Sequence, residues 1–299
     1  MWVAFTLLTF ICWGVADLFY KMGNHKEGNY NHLKTGIMVG LVMGIHAIIY
    51  MIVKKVDFSL IETLKYLPVS LCYILSMVIG YRGLKYLELS ISSPVQNTSG
   101  VITALLLLLF FKEELPISFF VALILIFTGI IIISILEVKD NKKERKEFKK
   151  NNSFKKFFSL IILFPICYCI LDGLGTFLDG IYLDKMELIS EDMALIAYEF
   201  TFLFYAIVSF IYLKIKKEKF NIINEKTMLA AALFETAGQM FYVYAMAKDA
   251  TIAAPIVGSY CVLSMLLSRI FLKEKLTKQE YAGIFLVLMG VIILAILDI

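Results

Sequence analysis

The sequence predicts an all-α membrane protein with ten transmembrane helices, arranged as two inverted repeats of five helices. Three observations predict this fold class: an excess of apolar residues, apolar runs of about 20 residues, and one segment that occurs twice. A run of that length, as a helix, can cross the ~30 Å hydrocarbon layer of a bilayer. The runs lie at approximately 2–21, 34–53, 66–84, 90–111, 116–137, 157–181, 192–214, 227–246, 251–271 and 278–298.

The composition favours a membrane protein. Of the 299 residues, 60% are hydrophobic and 18% are charged, and the mean hydropathy is +0.80. Soluble domains typically have about 45–50% apolar and about 25% charged residues. The apolar runs are also too long and too uniform for the strands of a membrane barrel, whose hydrophobicity alternates. The spans are therefore expected to be helices.

The repeat is visible when residues 81–136 are aligned without a gap on residues 242–297. Identical aligned pairs include Pro94 and Pro255, Val101 and Val262, Phe110 and Phe271, and Gly129 and Gly290. The charged turn Lys112-Glu113-Glu114-Leu115 aligns with Lys273-Glu274-Lys275-Leu276. Such self-similarity indicates that the chain contains two copies of one structural unit.

The chain divides into a first repeat at 1–137, a basic linker at 138–156 and a second repeat at 157–299. Each repeat has five spans. Because five is odd, the second repeat must enter the membrane in the opposite orientation to the first. The linker is expected to be a solvated connection and not a nucleic-acid site.

The distribution of basic residues predicts an orientation. Most of the 29 Lys and Arg residues lie in the odd-numbered loops, which include the linker. Basic loops stay in the cytoplasm, so both termini are expected outside. No basic segment precedes the apolar run that begins at Trp2, so this run is expected to be a retained span and not a cleaved signal peptide. The five cysteines all lie in apolar runs and are expected to be free thiols.

The doubled turn, the prolines of the fourth and ninth spans, and Trp13-Gly14 in the first span resemble the EamA family of the drug/metabolite transporter superfamily. A Gly-Glu-x-Leu turn is typical of that family, and here Lys112 and Lys273 replace the glycine. The resemblance implies a secondary transporter of a small metabolite without an ATP site. Members of the family are described for amino acids, quaternary ammonium compounds, sugars and other metabolites. Their termini are usually drawn in the cytoplasm, the opposite of the orientation that the basic residues predict.

Two acids inside apolar spans correspond across the repeat. Trp13 precedes Asp17 by four residues, and Tyr168 precedes Asp172 by four. Residues i and i+4 share a helix face, so each half places a ring beside a carboxylate. A carboxylate supplies charge and a ring supplies cation–π attraction, which predicts a site for an organic ammonium or guanidinium ion. The alternative is that Trp13 only packs and that Asp17 pairs with Lys21.

The eighth span carries a polar stripe formed by Glu235, Gly238, Gln239 and Tyr242. An apolar helix usually turns such a stripe toward protein or water. It therefore predicts a cavity lining. The alternative is a helix–helix contact, in which Gln239 forms a hydrogen bond and Gly238 permits close approach.

Other polar residues in the spans are less informative. Asp179 is expected near the mouth of a cavity, His46 is expected to be a packed neutral imidazole, and Glu199 is ambiguous. Pro94 and Pro255 are expected to kink their helices close to the transport path, since proline removes a backbone hydrogen bond.

The sequence thus predicts a plasma-membrane secondary transporter that moves a small organic cation by alternating access. The alternative is a proton-coupled carrier of amino acids or neutral metabolites, in which Asp17 and Glu235 take up the proton. A membrane enzyme or a structural bundle is disfavoured, and no cofactor, metal or nucleic acid is expected. The predicted partners are a small-molecule substrate and the lipid bilayer. The predicted substrate-binding residues are Trp13, Asp17, Tyr168, Asp172, Glu235, Gln239 and Tyr242.

Overall fold

The structure is a computed structural model that describes residues 2–24, 30–83, 97–144, 163–221, 225–273 and 275–297. Within these residues the chain is helical and contains no strand. The helices are α1 Trp2–Asn24, α2 Asn31–Lys54, α3 Leu60–Gly83, α4 Ser99–Phe111, α5 Ile117–Glu144, α6 Leu163–Asp179, α7 Glu191–Ile215, α8 Lys226–Val257, α9 Tyr260–Phe271 and α10 Lys278–Ile296. A π-helical segment, Gly180–Lys185, continues α6.

The prediction of a helical, multi-pass membrane protein is confirmed. In the described part of the chain, seven helical segments are long and apolar enough to cross a membrane, and α8 with α9 forms an eighth, bent candidate. Helix α4 is apolar but short. The count of ten spans stays a prediction, because the predicted span 90–111 begins in residues outside the described ranges. Pro94 lies among those residues.

Helix α8 is interrupted near its end, where the sequence predicts the gap between two spans. Asp249 has non-helical φ and ψ angles of −161° and 87°. Its Oδ1 accepts a hydrogen bond of 3.0 Å from the backbone N–H of Ile252, and Asp184 Oδ2 accepts one of 2.9 Å from the N–H of Ala250. These two carboxylates cap the short helical piece 250–257, because the first N–H groups of a helix lack internal partners.

A second break follows this piece at Gly258 and Ser259, and the chain bends by 43° between α8 and α9. Pro255 lies just before the break, close to the kink that the sequence predicts. Ser259 Oγ donates a 2.7 Å hydrogen bond to the carbonyl oxygen of Pro255. The hydroxyl thus satisfies one carbonyl at the break, as buried backbone at membrane depth requires.

The main helix contacts join the first half of the chain, α1 to α5, with the second half, α6 to α10. Helix α1 packs against α8 and α9, α3 against α6 and α7, α2 against α7 and α8, α4 against α6 and α8, and α5 against α10. One apolar core is built largely from α1, α2, α3, α7 and α8, and the other from α4, α5, α9 and α10. Each core contains helices of both halves, so neither half could form it alone.

The crossing of α5 and α10 shows a correspondence between the halves. A Cβ on Gly129 would lie 2.6 Å from the carbonyl oxygen of Gly283, and a Cβ on Gly290 would lie 2.7 Å from that of Ala122. In the sequence repeat, Gly129 aligns with Gly290 and Ala122 aligns with Gly283. The two close contacts are therefore equivalent when the halves are exchanged. They let two apolar helices approach backbone to backbone, as small residues do in membranes.

The first lysine of the doubled turn has a positive φ in both halves. Lys112 follows α4 with φ of 49°, and Lys273 lies after α9 with φ of 57°. These angles fall in the left-handed region that glycine adopts without steric cost. Glycine would meet this backbone requirement without strain, and the chain meets it with lysine in both halves.

Candidate functional site

A cavity of about 80 Å³ lies where the two halves of the chain meet. Helices α1, α3 and α4 line it from the first half, and α6, α7, α8 and α9 line it from the second. By this measure one water molecule needs roughly 10–15 Å³. The cavity therefore has room for several water molecules or for a compact metabolite of a few heavy atoms.

Three carboxylates line the cavity: Asp17 from α1, Asp172 from α6 and Glu235 from α8. Asp17 and Asp172 both lie close enough to Glu235 for Coulombic repulsion between the carboxylates. Asp172 Oδ2 accepts a 2.7 Å hydrogen bond from Ser99 Oγ. No lysine, arginine or histidine is among the described residues that line the cavity, so its ionisable lining is acidic.

Aromatic rings surround these acids. The Trp13 ring lies 5.0 Å from the ring of Tyr242 and 5.9 Å from that of Tyr260, measured between centroids. Trp13 Nε1 donates a 3.4 Å hydrogen bond to the backbone oxygen of Glu235, which fixes the indole against α8. Clustered aromatic faces attract a cation placed over them. Carboxylates and rings together can bind an organic cation.

The cavity ends at a cluster that we call the floor network: Tyr66, Tyr73, Thr176, Asp179 and Tyr242. Tyr66 and Tyr73 donate hydrogen bonds to the two carboxylate oxygens of Asp179, the latter at 2.9 Å. Asp179 is fully buried and does not lie at the mouth that the sequence predicts. The reason is that Gly180–Lys185 extends the helix beyond Asp179 and places it inside the bundle.

The EamA-like transporter family matches the chain twice, over residues 1–135 and 159–296. The chain belongs to the EamA-like transporter family. This confirms the resemblance that the sequence motifs indicate. No curated protein matches the chain in sequence.

One solved structure, described as "Crystal structure of protein", resembles this EamA-like transporter with a TM-score of 0.70. The sequences are 10% identical, and the match covers 98% of this chain and 95% of that chain. At this identity the likeness shows the fold alone. The fold is thus one that an experimental structure also adopts over nearly the whole chain.

The structure brings together six of the seven predicted site residues of this EamA-like transporter. Those at the cavity are Trp13, Asp17, Tyr168, Asp172, Glu235 and Tyr242. Gln239 lies outside the lining and is 1% exposed, and its Nε2 has no hydrogen-bond partner among the described residues. The role of these seven residues in substrate binding stays a prediction.

The polar stripe of α8 serves two purposes, so both interpretations of the sequence describe part of it. Glu235 and Tyr242 line the cavity. Gly238 instead permits close helix packing, because a Cβ there would lie 2.4 Å from Trp13 Cδ1. The absence of a side chain at Gly238 thus creates the space that the indole occupies.

Sequence reasoning missed the cavity tyrosines Tyr73 and Tyr198. Both lie in largely apolar helices, and their rings form a T-shaped pair with centroids 5.7 Å apart. The available signal was chemical: a hydroxyl at membrane depth needs a partner. Asn97 and Ser99, which follow Pro94 closely in the sequence, also line the cavity.

Another buried acid, Glu199, lies outside the cavity lining. Glu199 on α7 is fully buried, and His46 Nδ1 on α2 lies 2.7 and 2.9 Å from its two oxygens. The histidine therefore pairs with an acid, whereas the sequence favoured simple packing. No group of three or more His, Cys, Asp or Glu side chains in the described residues could hold a metal ion, and all five cysteines are free.

The division of the α8 stripe gives a testable prediction. In a cysteine-free background, Tyr242→Cys and Glu235→Cys should react with a small hydrophilic methanethiosulfonate at least tenfold faster than Gln239→Cys. The reason is that only the first two side chains line the cavity. The measurement is the rate of labelling in membranes. Gln239→Cys is the matched control, since it lies on the same helix and is also buried, and equal rates for all three would contradict the cavity assignment.

Proposed function

We propose that this EamA-like transporter is a secondary transporter that moves a small organic cation across the plasma membrane by alternating access. The observation that carries this proposal is the acidic, aromatic cavity between the halves. Asp17, Asp172 and Glu235 supply negative charge, and Trp13 with its neighbouring tyrosines supplies π faces. In a site of low polarity, both attractions are stronger than in water.

The size and the sign of charge of the cavity narrow the substrate class. A volume of about 80 Å³, the space of several water molecules, accommodates a compact ammonium ion. An anion would meet three carboxylates without a basic group in the described lining. Asp17 is assigned to the substrate cation because it stands beside the larger ring of Trp13. Asp172, which stands one helical turn from the smaller ring of Tyr168, is assigned a coupling or structural role.

Alternating access is supported by the way the halves contact each other. The pairing of α1 with α8 has its counterpart in the pairing of α6 with α3, and α1 with α9 corresponds to α6 with α4. When the halves are exchanged, the α5–α10 crossing maps onto itself, because Gly129 and Gly290 occupy equivalent positions in it. This pattern is what two inverted repeats would produce around a site between them. Rocking of one repeat against the other would then expose the cavity to each side in turn.

The alternative function is a proton-coupled carrier of amino acids or neutral metabolites. The hydroxyl groups of Tyr73, Thr176 and Tyr242 at one end of the cavity favour it, since they can hydrogen-bond an uncharged substrate. In this alternative Asp17 and Glu235 take up the coupling proton.

The two functions are separated by ligands that differ only in charge. Choline and its neutral carbon isostere, 3,3-dimethyl-1-butanol, have nearly the same shape. We expect choline at 100 times its Kd to stabilise the purified protein by about 2.7 kcal/mol, which raises Tm by roughly 5–10 °C, and the isostere to have no effect.

The assay is a thermal-shift screen that extends to other amines, amino acids and nucleosides. Equal stabilisation by choline and its isostere would show that charge is not recognised. Stabilisation by amino acids or neutral metabolites alone would favour the alternative carrier.

A further inference from the structure

The floor network contains a carboxylate that the proposed substrate site does not use. Asp179 is fully buried, and it is joined to α3 through Tyr66 and Tyr73. Tyr73 continues the network to α8, since its hydroxyl lies 2.7 Å from that of Tyr242. Three helices from both halves are therefore held together at this one carboxylate.

No positive charge faces Asp179 from the helices packed around it in the described structure. Helix α3 presents tyrosine hydroxyls and the thiol of Cys72, α8 presents Tyr242, and α6 itself adds the negative charge of Asp172. Helix α7 contributes the phenol of Tyr198, which packs against Tyr73. The nearest lysine along α6 is Lys185, which pairs with Asp184 at 2.7 Å and with Glu113.

The hydrogen bonds of the floor network can accommodate either charge state of Asp179. When the carboxylate is ionised, Tyr73 donates to it at 2.9 Å. When the carboxyl is protonated it can donate to the Tyr73 oxygen, and Tyr73 then donates to Thr176 at 3.0 Å or to Tyr242. No hydrogen bond is lost in the exchange. The ionised state carries the additional cost of burying a charge without a cation, and the tyrosine hydrogen bonds to the carboxylate offset this cost only in part.

The floor network also closes one end of the cavity. Tyr73 and Tyr242 line the cavity on one side and bond to buried groups on the other. Farther along α6, Lys185 joins Glu113 of the α4–α5 turn, and Asp184 caps the helical piece that begins at Ala250. Two polar layers thus seal the bundle at the end where α6 terminates. The π-helical segment between them is of a kind often found at functional sites.

We propose that Asp179 is a proton-binding site that controls a gate at the floor of the cavity: the closed gate holds the proton, and opening releases it to water. The direction of the pH dependence follows from the burial of Asp179, because the closed state buries the carboxylate without a cation and the open state hydrates it. Raising the pH therefore favours the open gate. The inference rests on the proposed transport function, in which the cavity opens alternately to the two sides.

The test measures the distance between α3 and the end of the α6 segment, and it requires no substrate. Spin labels are attached at Ile61→Cys and Met186→Cys, two exposed positions, in an otherwise cysteine-free protein in nanodiscs. Double electron–electron resonance should show one short distance at pH 6 and an additional longer population at pH 9. Asp179→Asn mimics the protonated carboxyl and should keep the short distance at both pH values.

Two further variants complete the test. Glu199→Gln is the matched control, because Glu199 is equally buried but has His46 as a partner, and it should retain the wild-type response to pH. Tyr66→Phe removes one bond of the closed network and should lower the midpoint pH of opening by about one unit. If Asp179→Asn does not fold, an unchanged midpoint in Tyr66→Phe overturns the proposal.

The proposal is also overturned if the wild-type distances do not depend on pH, or if Asp179→Asn responds to pH as the wild type does. Failure of choline to bind would contradict the proposed substrate and leave the distance measurement unaffected. A spin-label distance that does not change with pH would contradict the gate and would not affect the proposed cation site. The two failures are therefore distinguishable.

Discussion

Replacing Asp17 by asparagine should abolish transport of a small organic cation at every pH, whereas Asp172→Asn should mainly change the pH dependence of transport. Both acids line the cavity, but their surroundings differ. Asp172 accepts a hydrogen bond from Ser99, and Asp17 stands one helical turn from Trp13, whose ring has the strongest cation–π surface of the side chains. Loss of a buried charge partner costs roughly 2–5 kcal/mol. We therefore expect a rate for Asp17→Asn that is lower by roughly 30-fold to several thousandfold.

The measurement is counterflow of radiolabelled choline in proteoliposomes, with and without a pH gradient. Glu199→Gln serves as the control for loss of a buried acid, because Glu199 pairs with His46 away from the cavity. Thermal unfolding of each variant shows whether the fold is intact. Gradient-driven transport at the wild-type rate by Asp17→Asn would remove the cation-site interpretation and leave the neutral-metabolite carrier in its place.

Hydropathy and repetition were sufficient to predict the helical membrane fold, and short motifs such as Trp13-Gly14 and the doubled turn indicated the family. Both signals depend on composition along the chain, and the cost of exposed backbone in lipid leaves helices as the only arrangement for such runs. Membrane orientation, the plasma-membrane location and the inverted arrangement stay predictions. The two breaks around the helical piece 250–257 were only partly predictable, because the first depends on capping by Asp184, a residue distant in sequence.

Helical spacing was sufficient to predict two pairs of residues that line the site. Trp13 with Asp17 and Tyr168 with Asp172 share helix faces, and both pairs line the cavity. Spacing could not separate Gln239 from Tyr242, since a stripe at i, i+3, i+4 and i+7 is wider than the cavity that it borders. The choice depends on where α1 crosses α8, and that crossing is set by tertiary packing.

Gly100→Ala should destabilise the protein and disrupt the cavity, although alanine is the better helix former. A Cβ at Gly100 would lie 2.4 Å from the carbonyl oxygen of Ala254 and 3.2 Å from the Cα of Gly258. This is a crossing of backbone on backbone, between the start of α4 and the second break of α8 and α9. All three residues line the cavity. Separating the two helices would therefore move the cavity wall.

We expect a loss of about 1–3 kcal/mol, the usual cost of overpacking, with a fall in Tm of roughly 2–12 °C and weaker binding of choline. The measurement is thermal unfolding in detergent with and without choline. Gly173→Ala is the matched control, because it also lies in a helix and its Cβ would meet Ser99 at 3.7 Å, an ordinary contact. Both variants gain the same helix propensity, so their difference in Tm measures the clash alone. Equal Tm values would show that α4 can move away from the break without cost. They would contradict the claim that the close crossing at Gly100 determines the position of the cavity wall.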